Sequence, residues 1–333
     1  MNVAIIGCGL IGRKRAQALL SSEDKITVVC DRVRERAEAL SKEFDCEFVT
    51  DWQVLSSVQD IDVVINSTIN SCLAPITIDM AKNKKHVLCE KPLGRNVQEA
   101  RDMVNAAHEN QVLLKTGFNH RFHPAVWQAK RLLDDGVIGK CLTIRARYGH
   151  GGRAGMEKEW RSSKELCGGG ELLDQGVHII DLIRWFGGEI TEVFGKVETK
   201  FWGIEVEDNA FAILKTQNDV TASFHVCWTN WKNVFSFEVF GDKGYLHING
   251  IGGSYGPETL EFAIRKEEGG RPEIRNYQFP SDDVSWENEW QEFRNAVLGK
   301  RQPLANGTDG LKVNIVVDAL YESSLQKKEI QLF

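Results

Sequence analysis

No stretch of the 333-residue sequence approaches the roughly 18 apolar residues that a membrane helix needs, so no membrane partner is expected. Nor does any C-x-x-C pair occur. The eight cysteines stand singly at 8, 30, 46, 72, 89, 141, 167 and 227, most among apolar neighbours. A zinc site wants close-set Cys and His pairs, so a metal is not expected. Isolated cysteines act as small hydrophobes in a reducing compartment, which predicts a cytoplasmic protein. The start lacks a basic region and a small-residue cleavage site. Residues 1–6 are apolar and run straight into glycines, reading as a first strand rather than a secretory signal. Positive charge is not in excess either. Lys and Arg number 41 against 47 Asp and Glu, giving a net charge of −6 with the signs interspersed. A nucleic-acid binder would carry a basic patch or domain, so that partner is excluded. Repeats, low-complexity segments and Pro- or Ser-rich linkers are all missing.

What is present is an ordinary globular composition, 42% apolar and 26% charged, in a chain long enough for two domains. The first third alternates buried-strand runs at 3–6, 26–30, 63–66, 86–89 and 112–116 with helical runs at 11–21, 34–44 and 75–83. A fourth helix is opened by Asn96 and Glu99 as a capping box and runs to about 110. Near-continuous apolar strands between helices predict a parallel sheet covered on both faces. After Thr116 the pattern changes. A helix is expected at 122–134, a strand at 142–148 and a helix at 172–186. Strand runs follow at 192–200, 209–216, 221–228, 235–240, 245–248 and 260–265, separated by turns such as Asn218-Asp219. This succession predicts an antiparallel sheet, closed by helices at 287–298 and 310–324.

Residues Gly7-Cys8-Gly9-Leu10-Ile11-Gly12 follow an apolar strand and open a helix. Alone, G-x-G-x-x-G is a weak signal. Here a second strand follows and ends at Asp31, as dinucleotide binding requires. Gly7 permits the tight turn, Gly9 lets a pyrophosphate approach, and Gly12 permits close helix–strand packing. The N–H groups at the helix start, including Leu10 and Ile11, face the phosphates. Asp31 accepts bonds from the adenosine ribose and repels a 2′-phosphate, favouring NAD. Arg32 beside it could pair with that phosphate and leaves NADP as the alternative.

The run His86 to Leu93, with Cys89-Glu90-Lys91-Pro92, together with this fingerprint, resembles the Gfo/Idh/MocA oxidoreductases. Gly117-Phe118-Asn119-His120-Arg121-Phe122-His123-Pro124 resembles the family segment joining two domains. Gly168-Gly169-Gly170-Glu171-Leu172-Leu173-Asp174-Gln175-Gly176-Val177-His178 resembles its D-x-x-x-H catalytic helix, and residues 310–324 its C-terminal helix. The resemblance implies an α/β protein: an N-terminal Rossmann domain with a parallel sheet over 1–120, then a C-terminal α/β domain over 121–333 with a large open, mostly antiparallel sheet for substrate binding and oligomerisation. It also implies NAD or NADP, sugar or cyclitol substrates, and a homo-oligomer, dimer or tetramer. Where the family often shows T-P-N-x-x-H, this chain has Thr68-Ile69-Asn70-Ser71-Cys72-Leu73. Thr68 and Asn70 line the cofactor crevice in the resemblance, with Ile69 and Leu73 as departures. Glu90 and Asn119 fall near the nicotinamide ribose or the substrate.

Oxidising an alcohol requires removing its proton as hydride leaves carbon. A neutral imidazole suits that role, which makes His178 the expected base, and the acid in reduction. Asp174, four residues earlier, shares its helix face and would bind a neighbouring hydroxyl or tune the imidazole. Lys91 would bond the substrate oxygen and stabilise developing alkoxide, its backbone set by Pro92. The glycine run 168–170 is expected to allow close approach by cofactor or substrate. Without the fingerprint and Lys91, an isolated D-x-x-x-H would read as a core histidine. Asp181 and Arg184 read as a helix-surface or interdomain contact. Arg153, Trp160 and Arg161 form a substrate-side segment whose arginines could hold a carboxylate or phosphate, or else a solvated loop. His120 reads as a substrate contact or as interdomain packing. Two other functions stay open: a glycoside hydrolase using transient oxidation, and a dinucleotide-sensing protein without catalysis.

Overall fold

The computed structural model describes residues 1–279 and 282–332. It divides into two compact units. The first comprises Met1–Asn119, Glu165–Gly168 and Trp286–Asn314; the second comprises His120–Lys164, Gly169–Ser285 and Ile315–Phe333. No described helix is long and apolar enough to cross a membrane.

The first unit is built from β1 (Asn2–Ile6), α1 (Leu10–Leu19), β2 (Lys25–Cys30), α2 (Arg34–Phe44), β3 (Glu47–Val49), β4 (Val63–Asn66), α3 (Asn70–Lys82), β5 (His86–Cys89), α4 (Val97–Glu109) and β6 (Leu114–Thr116). Six parallel strands lie in the order β3-β2-β1-β4-β5-β6. Successive side chains of a strand point to opposite faces, and here both faces are apolar. Val3 and Ile5 join one buried cluster with Ala16, Leu19, Ala37 and Leu40. Ala4 and Ile6 join the other with Leu73, Ile76, Met80 and Met103. The strand order reverses at β1, which has β2 on one side and β4 on the other. Such a reversal leaves a crevice at the carboxyl ends of the two strands, where open α/β sheets bind ligands.

The second unit contains α5 (Pro124–Asp134), β7 (Cys141–Gly149), α7 (Val177–Gly187), β8 (Ile190–Glu198), β9 (Asn209–Thr216), β10 (Thr221–Cys227), β11 (Val234–Gly241), β12 (Gly244–Asn249), β13 (Thr259–Ile264), β14 (Glu273–Gln278) and β15 (Ile330–Gln331). A single turn, α6 (Lys164–Cys167), precedes α7, and α8 (Ser285–Leu298) and α9 (Gly307–Gln326) follow β14. The nine strands run β14-β13-β12-β11-β7-β10-β9-β8-β15. All pairs are antiparallel except β7 with β10. One face carries the core, with Ala212, Leu214, Phe224 and Val226 buried. On the other face Phe194, Phe211 and Ile213 are about half exposed.

Several expected bounds move. Pro75 does not open α3, which begins at Asn70 and contains the proline. The rule that proline favours a first helical position pointed five residues too late. The helix expected at 172–186 begins as a π-helical turn, Leu172–Gly176, and becomes α-helical only at Val177. At the capping box, Asn96 Oδ1 accepts the Glu99 N–H at 2.9 Å. The return bond goes elsewhere, because Glu99 accepts from the Arg95 N–H and guanidinium.

Candidate active site

The fingerprint glycines have three distinct causes. Gly7 has φ +98°, and a Cβ there would lie 2.5 Å from the Ser67 carbonyl oxygen at the end of β4. A Cβ on Gly12 would lie 1.8 Å from the Gly7 carbonyl oxygen. Those two are demanded by the protein's own packing. Gly9 is not: nothing stands within 4 Å of its Cβ position. It caps α1 without a side-chain bond, and the first turn holds no acidic residue. Leu10 after it is 74% exposed and Ile11 half-buried. An uncapped helix N-terminus with open space at its cap suits a pyrophosphate.

Asp31 flanks this turn. Its Oδ2 accepts the Cys8 N–H and its Oδ1 the Val33 N–H, both at 2.9 Å. Each carboxylate oxygen keeps a lone pair for the two ribose hydroxyls. Arg32 is exposed beside it. The residues present therefore fit a nicotinamide dinucleotide. Thr68 and Asn70 make internal bonds. The Thr68 hydroxyl donates to Asn66 Oδ1 at 2.8 Å, and the buried Asn70 amide donates to the Cys167 carbonyl at 2.8 Å.

Glu90 also faces inward. Arg15, on α1, donates from Nε to Glu90 Oε1 at 2.7 Å and from Nη1 to Glu289 Oε2 at 2.5 Å. Lys115 stands 3.8 Å from Glu289 and 3.4 Å from Glu292. Arg15, Lys115 and Glu289 are almost wholly buried. Burial pushes the Glu289 carboxyl up, and the charges of Arg15 and Lys115 oppose the push. Glu90 Oε2 accepts the Lys91 N–H at 3.3 Å. The next peptide bond, Lys91–Pro92, is cis. Lys91 is half-buried at the end of β5, and Asn119 is buried.

In the second unit the π-helical turn carries Asp174, and α7 carries His178. The glycine run before them is filled by the protein itself. A Cβ on Gly169 would lie 2.2 Å from the Tyr321 hydroxyl, and one on Gly170 1.9 Å from the Glu207 carbonyl oxygen. At these two positions packing, not ligand approach, requires glycine. Asp174 stays partly open and faces Arg161, whose Nε lies 3.6 Å from Oδ2. The Arg161 guanidinium lies over Trp160, 4.4 Å from the ring centroid. His178 is 4% exposed, and its ring stacks on His120 with centroids 3.7 Å apart and planes at 19°. His120 thus packs among rings, with Tyr148 at 5.2 Å and Phe235 at 5.7 Å. Arg153 is bound bidentately by Glu159, at 2.7 and 2.5 Å. Asp181 pairs with Arg121, at 2.8 and 2.5 Å, and Arg184 with Glu189, so both serve structural contacts.

Three neighbours escaped the sequence reading. Tyr148, the penultimate residue of β7, lies 6.4 Å from the His178 ring and 5.3 Å from that of Tyr255. Gln175 donates to the Tyr255 hydroxyl at 2.9 Å. Burial raises the Tyr148 phenol well above its ordinary value and the Tyr255 phenol to about 12. Both remain neutral hydrogen-bond donors near pH 7. Gln175 could have been found from its place beside Asp174. Tyr255, in the glycine-rich stretch after β12, left no sequence signal.

The first unit thus carries a dinucleotide cradle, and the second, taken by itself, a carboxylate and an imidazole on neighbouring helical turns, the kinds of group that a nicotinamide-dependent oxidoreductase uses. The chain belongs to the GFO/IDH/MocA oxidoreductase family. Residues 1–118 match the model of the oxidoreductase family's NAD-binding Rossmann fold, and 126–247 that of the GFO/IDH/MocA C-terminal domain. A 1,5-anhydro-D-fructose reductase of Ensifer adhaerens is 30% identical, over 92% of this chain and 91% of the relative. A levoglucosan dehydrogenase of Pseudarthrobacter phenanthrenivorans is 24% identical over 100% of this chain and 98% of its own length. The solved structure of a levoglucosan dehydrogenase with NADH and levoglucosan superposes with a TM-score of 0.92, at 24% identity, covering 100% of this chain and 99% of that one. That likeness shows the fold.

Proposed function

We propose that the protein reversibly oxidises a secondary alcohol of a cyclic polyhydroxylated substrate, a sugar, anhydrosugar or cyclitol, using NAD. The carrying observation is the buried His178 imidazole one turn beyond the half-open Asp174, in a family of nicotinamide enzymes. The similar reductase and dehydrogenase, named for anhydrosugars, support the substrate class. When bound, the nicotinamide takes up or gives the hydride. The chain's own groups handle the proton and the orientation. His178 takes the hydroxyl proton in oxidation and returns it in reduction. Asp174 accepts a bond from a neighbouring hydroxyl. The Lys91 ammonium bonds the reacting oxygen and stabilises negative charge developing on it. Tyr148 and Tyr255 stay protonated, as neutral hydrogen-bond donors. Residues 1–120 serve the cofactor, with 286–314 completing their core, and the second unit serves substrate and assembly. The half-exposed Phe194, Phe211 and Ile213 support a homo-oligomer formed over the open sheet face. Free, scattered cysteines support a cytoplasmic setting.

His178→Ala lowers kcat at least a hundredfold on a sugar and polyol panel followed by NADH absorbance, while the Kd for NAD stays within twofold. Unchanged turnover removes His178 from the chemistry. Product release without NADH accumulation would instead favour transient oxidation. Asp31→Ala weakens NAD binding and narrows its advantage over NADP. An unaltered cofactor ratio discredits Asp31 as the discriminator.

A further inference from the structure

We infer that this site selects electrically neutral polyols and rejects sugar acids and phosphorylated sugars, because Arg161 serves Asp174 rather than an anionic substrate. The inference rests on the proposed reaction and narrows its substrate class.

The argument is one of local charge. With the Lys91 ammonium committed to the reacting oxygen, an anionic substituent needs a second cation whose charge is not already met within the protein. Around the acid–base turn of the second unit, the arginines already face carboxylates. Arg161 lies 3.6 Å from Asp174, and Arg153 is held bidentately by Glu159. Deeper in the unit, Arg121 is held by Asp181. The same turn also carries or abuts two further carboxyl groups. Glu171, fully buried, stands three residues before Asp174. Buried Glu207 accepts the Leu172 N–H at 3.1 Å and the Tyr321 hydroxyl at 2.8 Å. Charge on Glu171 and Asp174 is felt at both Tyr148 and Tyr255, where it disfavours a phenolate. An incoming carboxylate or phosphate meets that same field. It would also have to compete with Asp174 for Arg161. A neutral polyol meets no such opposition. Its hydroxyls find an acceptor in Asp174 and donors in the tyrosines. Trp160, with Arg161 laid over its ring, holds the guanidinium in place. Arg161 is therefore a positioning residue, acting through Asp174.

The test compares matched probes on the enzyme with NAD: D-glucose against D-glucuronate and glucose 6-phosphate, and myo-inositol against inositol 1-phosphate. The expected result is a kcat/KM at least tenfold higher for the neutral member of each pair. In Arg161→Gln, kcat on the neutral probe falls and the order of preference persists. An acidic probe preferred by the wild type, with that preference abolished in Arg161→Gln, overturns the inference while sustaining the oxidoreductase reading. Should no probe turn over, it is the proposed substrate class that fails. Carboxyl 13C NMR of Asp174 then decides the role of Arg161. Loss of the cation should move the Asp174 titration upward, and an unmoved titration overturns the inference.

Discussion

Each glycine of the nucleotide turn answers to a different neighbour, and substitution separates them. Gly12→Ala drives a methyl into the Gly7 carbonyl and should cost about 2 kcal/mol or more in urea unfolding, as overpacking does. Gly9→Ala meets open space, so the melting temperature should hold within a degree or two. The same methyl stands where a pyrophosphate would approach, so Kd for NAD should rise at least tenfold in calorimetry. Equal losses of stability in both variants would contradict this division. The motif could be read from the sequence because it combines a spacing with its strand and helix context. Tyr148 and Tyr255 could not be. The proximity of Tyr148 to His178, and of Tyr255 to Tyr148, depends on strand register and on where the segment after β12 lies, and neither leaves a local pattern.

Among the elements, those buried on both faces were legible. β1, β4 and β5 are short apolar runs, because a parallel sheet covered by helices hides every side chain. The edge strands β3 and β14 were not. β14 is exposed at all six positions, and β3 has only three residues, none fully buried. β3 carries Phe48 and Val49 but is too short to show a period, and β14 buries none of its side chains. The π-helical turn was invisible for another reason, since a helical pattern does not disclose one extra residue in a turn. α1 and α8 are tied by charge: Arg15 from one meets Glu289 from the other, and Glu90 shares the guanidinium. Removing one member of a buried ion cluster leaves uncompensated charge, at a cost of about 3–5 kcal/mol. Arg15→Met should show that loss in urea denaturation. Arg15→Lys, which keeps the charge without the fork, should fold more stably than the methionine variant while still showing reduced kcat through a shifted Glu90–Lys91 turn. Wild-type stability in Arg15→Met would deny the cluster its role.

At the scale of the whole molecule, chain order and compact units do not coincide. Trp290 and Phe293 of α8 belong to the same buried cluster as Val3, Ile5 and Val29, so the first unit depends on residues 286–314. A chain truncated to residues 1–120 lacks both aromatics. Loss of a single such side chain typically costs about 3–5 kcal/mol, against a total domain stability of about 5–15 kcal/mol. The truncated chain should therefore show little cooperative unfolding by circular dichroism. Supplying residues 286–314 through a flexible linker should restore a two-state transition. A stable, cooperative 1–120 fragment would show that the late helix is dispensable. Sequence alone suggested a break near 120 because the periodicity changes there. Return of a distant helix to an earlier core leaves no such mark, since its apolar stripe does not name its target.

The cysteines carry a last consequence. None of the eight is in a disulfide and six are buried, and burial raises the Cys8, Cys30 and Cys89 thiols to about 12. Thiolate is the reactive form, so oxidants and alkylating reagents find little to attack while the chain is folded. Distributed through both units, the six buried sulfurs act as a built-in clock: each becomes reactive only when its own stretch of core opens, so the order of labelling would record the order in which the protein comes apart.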